Sequence, residues 1–262
     1  MEAGSSALAY FWRTKYHHKW YTMSLLKIPF IIAQTIGIYI SFSSSSPPPA
    51  PEEKVEPPKF EVIILRFEGL WGNDIKKICS LAASSVEVAS ILATHMDPSQ
   101  IPEGIYGTRV LQFLRALHPT PITPAFLAGS LAVTIGGGLR FYCMSTLGKY
   151  WSWPLSVRRE HRLVTSGPYS LVRHPSYTSF LLQYFGLIAM HGEQGSWLRQ
   201  SGILQVPLVN VIVAILFFGF TLCAWMTISR PAVEDKMLQR ALGKEWENWA
   251  KRVKYRLFPG VY

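Results

Sequence analysis

The sequence predicts an all-α membrane protein, a polytopic bundle of about five spanning helices. Three observations lead there. Hydrophobic residues make up 49% of the 262 positions and charged residues only 16%, more apolar and less charged than an ordinary soluble domain. Gln205 to Ser229 is a run of 25 residues without Asp, Glu, Lys or Arg; at about 1.5 Å per residue it suffices to cross a hydrocarbon core of about 30 Å. The basic residues behind the formal net charge of +10 sit beside the apolar runs. Arg158, Arg159, Arg162 and Arg173 fall in a central loop, and Lys236, Arg240, Lys244, Lys251, Arg252, Lys254 and Arg256 follow the last run. Such flanking charge obeys the positive-inside tendency and attracts anionic lipid. The expected partner is therefore the lipid bilayer and not nucleic acid.

The amino-terminal stretch is polar, aromatic and basic, with Arg13, Lys15, His17, His18 and Lys19, and the apolar run from Leu25 to Phe42 follows it. No clear small-residue cleavage site precedes the serines and prolines after it, so an uncleaved first span is expected. Ser43 to Lys59 holds six prolines and three glutamates; it cannot bury apolar surface and reads as an extended or disordered linker whose length tolerates change. Ile75 to Met96 has a helical apolar pattern with Glu87 inside it, either paired within the bundle or marking a partly wet helix. Residues 97–123 read as a Pro-rich loop with a short helix from Arg109 to Leu117.

Ala125 to Met144 is the third expected span. Its Gly136-Gly137-Gly138 run does not follow a strand, so it points to close helix packing and not to a dinucleotide site. Arg140 is expected to snorkel to the interface. Thr178 to Met190 and the run from Gln205 form a helical hairpin, and Arg230 onward reads as a soluble amphipathic helix. Five spans place Lys15 and Lys19 on the side away from the other basic clusters, so either the first run does not cross or the charge bias is overridden. Cys79, Cys143 and Cys223 lie in apolar segments without CxxC or Cys/His spacing; they read as small buried residues, and no metal site is expected. Three regions follow: 1–60, the first span and linker; 61–124, a helical segment and loop; and 125–262.

The chemistry is concentrated in the last of these. His161-Arg162-Leu163-Val164 and Gly167-Pro168-Tyr169 run into Arg173-His174-Pro175-Ser176-Tyr177, and Arg230-x-x-x-Glu234-Asp235 follows the hairpin. The two clusters lie at opposite ends of the hairpin and so emerge on one membrane face, where convergent polar groups make the default site. Arg230 is suited to holding a carboxylate through paired hydrogen bonds, and Glu234, one helical turn on, to accepting from hydroxyl or ammonium groups. Tyr169 and Tyr177 can offer ring faces to a cation, a contact of about 1 to 2 kcal/mol. Blander readings stand beside these. His161, Arg162 and Arg173 could anchor lipid phosphates, Arg230 and Glu234 could be a surface i, i+4 ion pair, and Trp246, Trp249, Tyr255 and Phe258 could be interfacial anchors or packing for a cofactor lid.

These ordered motifs, followed by Leu242-Gly243-x-Glu245-Trp246, resemble the isoprenylcysteine carboxyl methyltransferase family over about residues 125 to 262. The resemblance implies a methyltransferase catalytic core there and a multi-pass enzyme of the endoplasmic reticulum membrane. Its substrate would be the α-carboxylate of a C-terminal prenylated cysteine, methylated from S-adenosylmethionine in a cytosolic pocket formed by the central loop and the C-terminal region. Carried over residue by residue, the family's cofactor positions fall on His161, Arg162, Leu163, Val164, Tyr169, His174, Pro175, Ser176, Tyr177 and Glu234. Its substrate-binding arginine falls on Arg230, and Arg230 and Glu234 are the expected catalytic pair. One departure is Pro154, which stands near the position of a cofactor-contacting Gln, so that contact is lost or displaced. Rival readings are a membrane sterol reductase using NADPH and a non-catalytic membrane scaffold.

Overall fold

The computed structural model describes residues 24–44, 46–97 and 105–261, apart from the side chains of 67–71 and 105–106. The basic stretch carrying Arg13, Lys15 and Lys19 lies outside the described residues. Seven helices carry the architecture: α1 (Lys27–Ser41), α2 (Lys59–His95), α3 (Ile105–Ala116), α4 (Pro124–Leu147), α5 (Pro175–Gly192), α6 (Pro207–Leu242) and α7 (Lys244–Arg252). Among the described residues there is no β-strand, in agreement with the all-α expectation.

Three stretches are long and apolar enough to cross a membrane: Gly72–His95, Pro124–Tyr150 and Pro207–Leu242. The two other expected spans are shorter helices, α1 with 15 residues and α5 with 18. Polar residues dilute the apolar character of α5, and the structure turns them inward. Ser176, Ser179 and Gln183 are buried, and the Gln183 amide donates to the Ser41 hydroxyl at 2.6 Å. A hydrogen-bonded polar group inside a bundle escapes most of the cost it would incur facing lipid.

Helix α4 is the central element, packed chiefly on α5 and α1. Two of its glycines show why. A Cβ on Gly136 would stand 2.7 Å from the Ser179 carbonyl oxygen, and one on Gly137 would collide with the Gly37 backbone of α1. Gly138 faces open space. Close packing is therefore the role of the first two glycines of the run and not of the third. Around these crossings a core forms from Ile38, Phe42, Val133, Phe180, Leu181, Ala224 and Leu257, which come from α1, α4, α5, α6 and the C-terminal tail. Toward the other end, Lys27 and Glu87 form a buried pair at 2.6 Å, and Lys27 also donates to Thr120 at 3.1 Å. Glu87 is thus paired within the bundle.

The apolar helix expected from Ile75 to Met96 is present as Gly72–His95. A further helical piece precedes it in α2, from Lys59, and the two are separated at Gly72, whose φ of 57° and ψ of 157° interrupt the helical run. The short helix expected over Arg109 to Leu117 begins earlier, at Ile105.

The Pro-rich linker is extended but not loose. Its amide at Val55 donates to the Leu155 carbonyl at 2.9 Å, and Glu53 accepts through its carbonyl from the Val157 amide at 2.9 Å. The Glu53 carboxylate takes the Arg159 amide at 2.9 Å, and the two backbone N–H groups bound to it hold its carboxyl below the usual range. Composition could not show these partners, because they come from a distant loop.

Finally, α6 does not stop before Arg230. It continues through Pro231 to Leu242, and the break falls at Gly243, where φ is 56°. Proline removes a single helical hydrogen bond, and Pro231 is fully buried, so its packing offsets that loss.

The glycine crossings make a paired prediction. Gly137→Val should destabilise the detergent-solubilised protein by about 1–3 kcal/mol, the usual cost of overpacking. Gly138→Ala should leave it unchanged or slightly more stable. Thermal melts of the two variants beside the parent chain check this.

Candidate functional site

The loop after α4 and the end of α6 meet over one end of the bundle, and the C-terminal tail closes them together. The tail's carbonyls at Tyr255 and Arg256 accept from the amides of Arg173 and His174 at 2.9 and 2.8 Å. Leu257 accepts from the Thr178 hydroxyl at 2.6 Å. Before these, Gly167, with φ 58°, lets the chain turn into a short 3-10 segment that buries Tyr169. The Tyr169 carbonyl receives the Trp249 indole N–H of α7 at 3.3 Å. Trp246 is also buried and lies against the Arg173 guanidinium, 5.7 Å from its ring centre. Both tryptophans therefore pack against this loop; they are not interfacial anchors.

Asp235 organises the junction. One carboxylate oxygen meets His174 Nε2 at 2.9 Å; the other meets Arg256 Nε at 2.8 Å and Arg173 Nη2 at 3.4 Å. Arg173 is thereby engaged inside the protein and is not free to anchor lipid. The next carboxylate, Glu234, accepts the Tyr177 hydroxyl at 2.7 Å and has His174 Nδ1 at 3.7 Å. His174 and Tyr177 stack with 15° between their rings, so one face of Tyr177 is already covered.

Arg230 is 5% exposed. It donates to the Trp153 carbonyl at 2.8 Å and lies 3.4 Å from the carboxylate of Glu61 on α2. The surface-pair reading of Arg230 with Glu234 is thereby overturned, because both residues are committed elsewhere and Arg230 is buried. Arg140 does not snorkel either. It is buried at 3% exposure, donates to the Ser176 hydroxyl and carbonyl at 2.6 and 3.2 Å, and lies over the rings of Trp151 and Trp153. Inside the bundle its charge is offset by aromatic faces and oxygen acceptors, which an isolated helix could not offer.

These groups border a cavity of about 380 Å³, within the range of small-molecule sites. His161, Arg162, Leu163, Val164, Tyr169, His174, Ser176, Tyr177, Arg230 and Glu234 all line it. Pro175 is buried at the first turn of α5 and does not. Arg162 stands exposed at the rim. Pro154 is in the wall, so a main-chain or proline surface stands where the family's glutamine side chain is expected.

The wall holds buried polar atoms without a hydrogen-bond partner among the described residues: His161 Nδ1, Trp151 Nε1 and Arg230 Nε. Such atoms are costly unless a ligand or water satisfies them. With the Glu234 carboxylate they form a donor and acceptor set that fits a ligand bearing hydroxyl, amino and carboxylate groups. Burial pushes the His161 imidazole below its ordinary range, leaving it neutral near pH 7, and raises the Tyr169 phenol well above 10, leaving it protonated.

Sequence reasoning missed Arg140, Trp151 and Trp153 as lining residues and Glu61 as the partner behind Arg230, and it gave Asp235 no role. A charged residue inside an apolar span was the available signal for Arg140. Glu61 carried none.

Two outcomes follow. Asp235→Asn should destabilise the protein by roughly 3 kcal/mol, because it removes the buried carboxylate that holds the partly buried Arg173 and Arg256; thermal melts read this directly. The His161 imidazole has a folded pKa below the unfolded value of about 6.5, so the unfolded state binds more protons as pH falls. Stability must then decrease as pH drops below about 6.5, and His161→Asn should show a shallower loss of melting temperature between about pH 7.5 and 5.5.

Comparison with known proteins places this end of the molecule. Residues 129–194 match the model of the isoprenylcysteine carboxyl methyltransferase (ICMT) family. The chain is 30% identical over 128 residues to protein-S-isoprenylcysteine O-methyltransferase B of Arabidopsis thaliana, covering 48% of this chain and 55% of that protein. It is equally similar, at 30% over 128 residues, to a probable protein-S-isoprenylcysteine O-methyltransferase of rice, Oryza sativa subsp. indica, with 48% and 56% covered. It is 24% identical over 122 residues to the Delta(14)-sterol reductase of Neurospora crassa, covering 41% of this chain and 25% of that protein. The chain thus spans about half the length of the curated methyltransferases it matches. The segment that supplies α4, the His161 to Tyr177 loop and α5 is thereby shown to resemble the isoprenylcysteine carboxyl methyltransferase family.

Proposed function

We propose that this protein is a multi-pass membrane enzyme of the endoplasmic reticulum. It methylates the α-carboxylate of a C-terminal prenylated cysteine with S-adenosylmethionine as donor. The observation that carries the proposal is the meeting of the two motif clusters on one cavity, with a buried guanidinium, Arg230, in its wall. Family resemblance and the methyltransferase relatives support the reaction class.

The residues suit that chemistry. A carboxylate acceptor is ionised at neutral pH, with an ordinary pKa of about 3.5 for a chain terminus, so no strong general base is required. What the protein has to supply is alignment in a dry site. Arg230 holds and orients the acceptor carboxylate through charge-assisted hydrogen bonds. Glu234 is kept in place by Tyr177 and receives the hydroxyl or ammonium groups of the donor, while His161, Leu163, Val164 and Tyr169 enclose it and His174 and Ser176 shape the floor. When bound, the cofactor supplies an activated methyl group on a positively charged sulfur. The face of α6 that carries Phe217, Trp225 and Ile228 is exposed and offers the prenyl chain a lipid-side approach, so the tail remains in the bilayer while its carboxylate reaches the cavity.

The sterol reductase similarity favours one second reading, NADPH binding at the same end of the molecule. Thermal shifts with S-adenosylmethionine and with NADPH separate the two, and a folded bundle that responds to neither would leave the scaffold reading. With labelled S-adenosylmethionine and a farnesylated cysteine, Arg230→Ala should lower kcat/KM by at least about 100-fold, as loss of a buried charged contact in a transition state implies, with cofactor binding retained. Glu234→Ala should weaken cofactor binding by about tenfold. Unchanged methylation by both variants refutes the assignment.

A further inference from the structure

Glu61 is the least comfortable carboxylate in the protein. It is 1% exposed, yet neither of its oxygens has a hydrogen-bond partner among the described residues. Its one ion pair among the described residues is with Arg230, at 3.4 Å. Burial raises its carboxyl above the usual range; Arg230 opposes that rise and the nearby Glu234 adds to it. A carboxylate with a purely structural task is ordinarily hydrogen-bonded, often to backbone amides. Glu61 is instead held by charge alone, and by the cation that the proposed reaction assigns to the acceptor.

A break in the helix separates the element that carries Glu61 from the spanning part of α2. The membrane-crossing stretch begins at Gly72. There φ is 57°, ψ is 157° and nothing lies within 4 Å of a Cβ position. A left-handed glycine in open space between two helical pieces is a site where a rotation meets little resistance.

We infer that Glu61 is the resident counter-ion of the acceptor site. Its carboxylate occupies Arg230 until the carboxylate of an incoming acceptor displaces it, and it recovers Arg230 once the acceptor has become an uncharged ester. This rests on the reading of Arg230 as the acceptor-binding residue. Glu61 is therefore a specificity-determining residue. An acceptor must bring its own anion to compensate Arg230, since a buried cation without a counter-ion is strongly disfavoured. A neutral analogue does not compete, and the esterified product, having lost its charge, is exchanged back out.

The test is binding of a farnesylated cysteine with a free carboxylate, and of its carboxamide, to the full-length protein in detergent without cofactor. Glu61→Gln removes the competing charge and keeps the shape. It should bind the carboxylate about tenfold more tightly than the parent chain, as removal of a competing buried charge implies, with no gain for the carboxamide. Equal affinity for the carboxylate in both proteins overturns the inference, and so does an equal gain for the carboxamide, which would mean only that space had opened.

If Glu61→Gln does not fold alone, melting with each ligand decides. Rescue by the carboxylate and not by the carboxamide supports the role; rescue by neither, with Glu61→Ala failing in the same way, makes Glu61 a structural residue. Methyl transfer by the parent chain is measured in parallel. Transfer without a binding difference removes the role of Glu61 alone, a binding difference without transfer removes the reaction alone, and binding by neither protein removes both.

Discussion

The Asp235 carboxylate is the constraint from which the rest of the site is built. It accepts from His174 at the start of α5 and from Arg256 in the tail, and it pairs with Arg173 in the loop. Two stretches, the Arg173-His174 turn and the C-terminal tail, are thereby fixed to α6. A charge of this kind, largely removed from water, is stable only while its partners stay in place. The energy that makes it costly to break also sets the positions of the neighbouring side chains. Glu234, the residue before it, is presented to the cavity because Asp235 fixes its helix against the His174 turn. The stacked His174 and Tyr177 rings then keep the Tyr177 hydroxyl on Glu234.

The apolar half of the molecule supplies rigidity of another kind. Close contact at Gly136 and Gly137 lets α4 lie against α5 and α1 with backbone touching backbone, the arrangement favoured where lipid offers no hydrophobic gain for association. Arg140 extends from this packed helix into the site, between two tryptophan rings and the Ser176 oxygens. The cavity therefore has one wall set by helix packing and another set by ion pairs.

Much of this was legible in the sequence. Charge-free length marked α6, the glycine run marked the closest crossing, and the order of the His161 to Tyr177 and Arg230 to Asp235 clusters marked which segments share a cavity. What was not legible has a common physical cause. Arg140, Glu61 and the linker around Glu53 each owe their state to a partner more than thirty residues away, and local pattern carries no information about such partners. Arg140 looked like an interfacial residue because its acceptor on α5 could not be foreseen. The helix end expected at Arg230 failed for a related reason. Pro231 is a weak stop when burial holds it, and the stop that operates is Gly243.

The Pro-rich strap has a mechanical meaning that its composition hides. It leaves α1, crosses the loop by way of Glu53 and Val55, and four residues after Val55 it enters the helix that bears Glu61 at Lys59. Prolines stiffen such a path, because each fixes one backbone rotation. The loop that borders the cavity and the helix whose Glu61 meets Arg230 are therefore joined by a short, proline-stiffened connection.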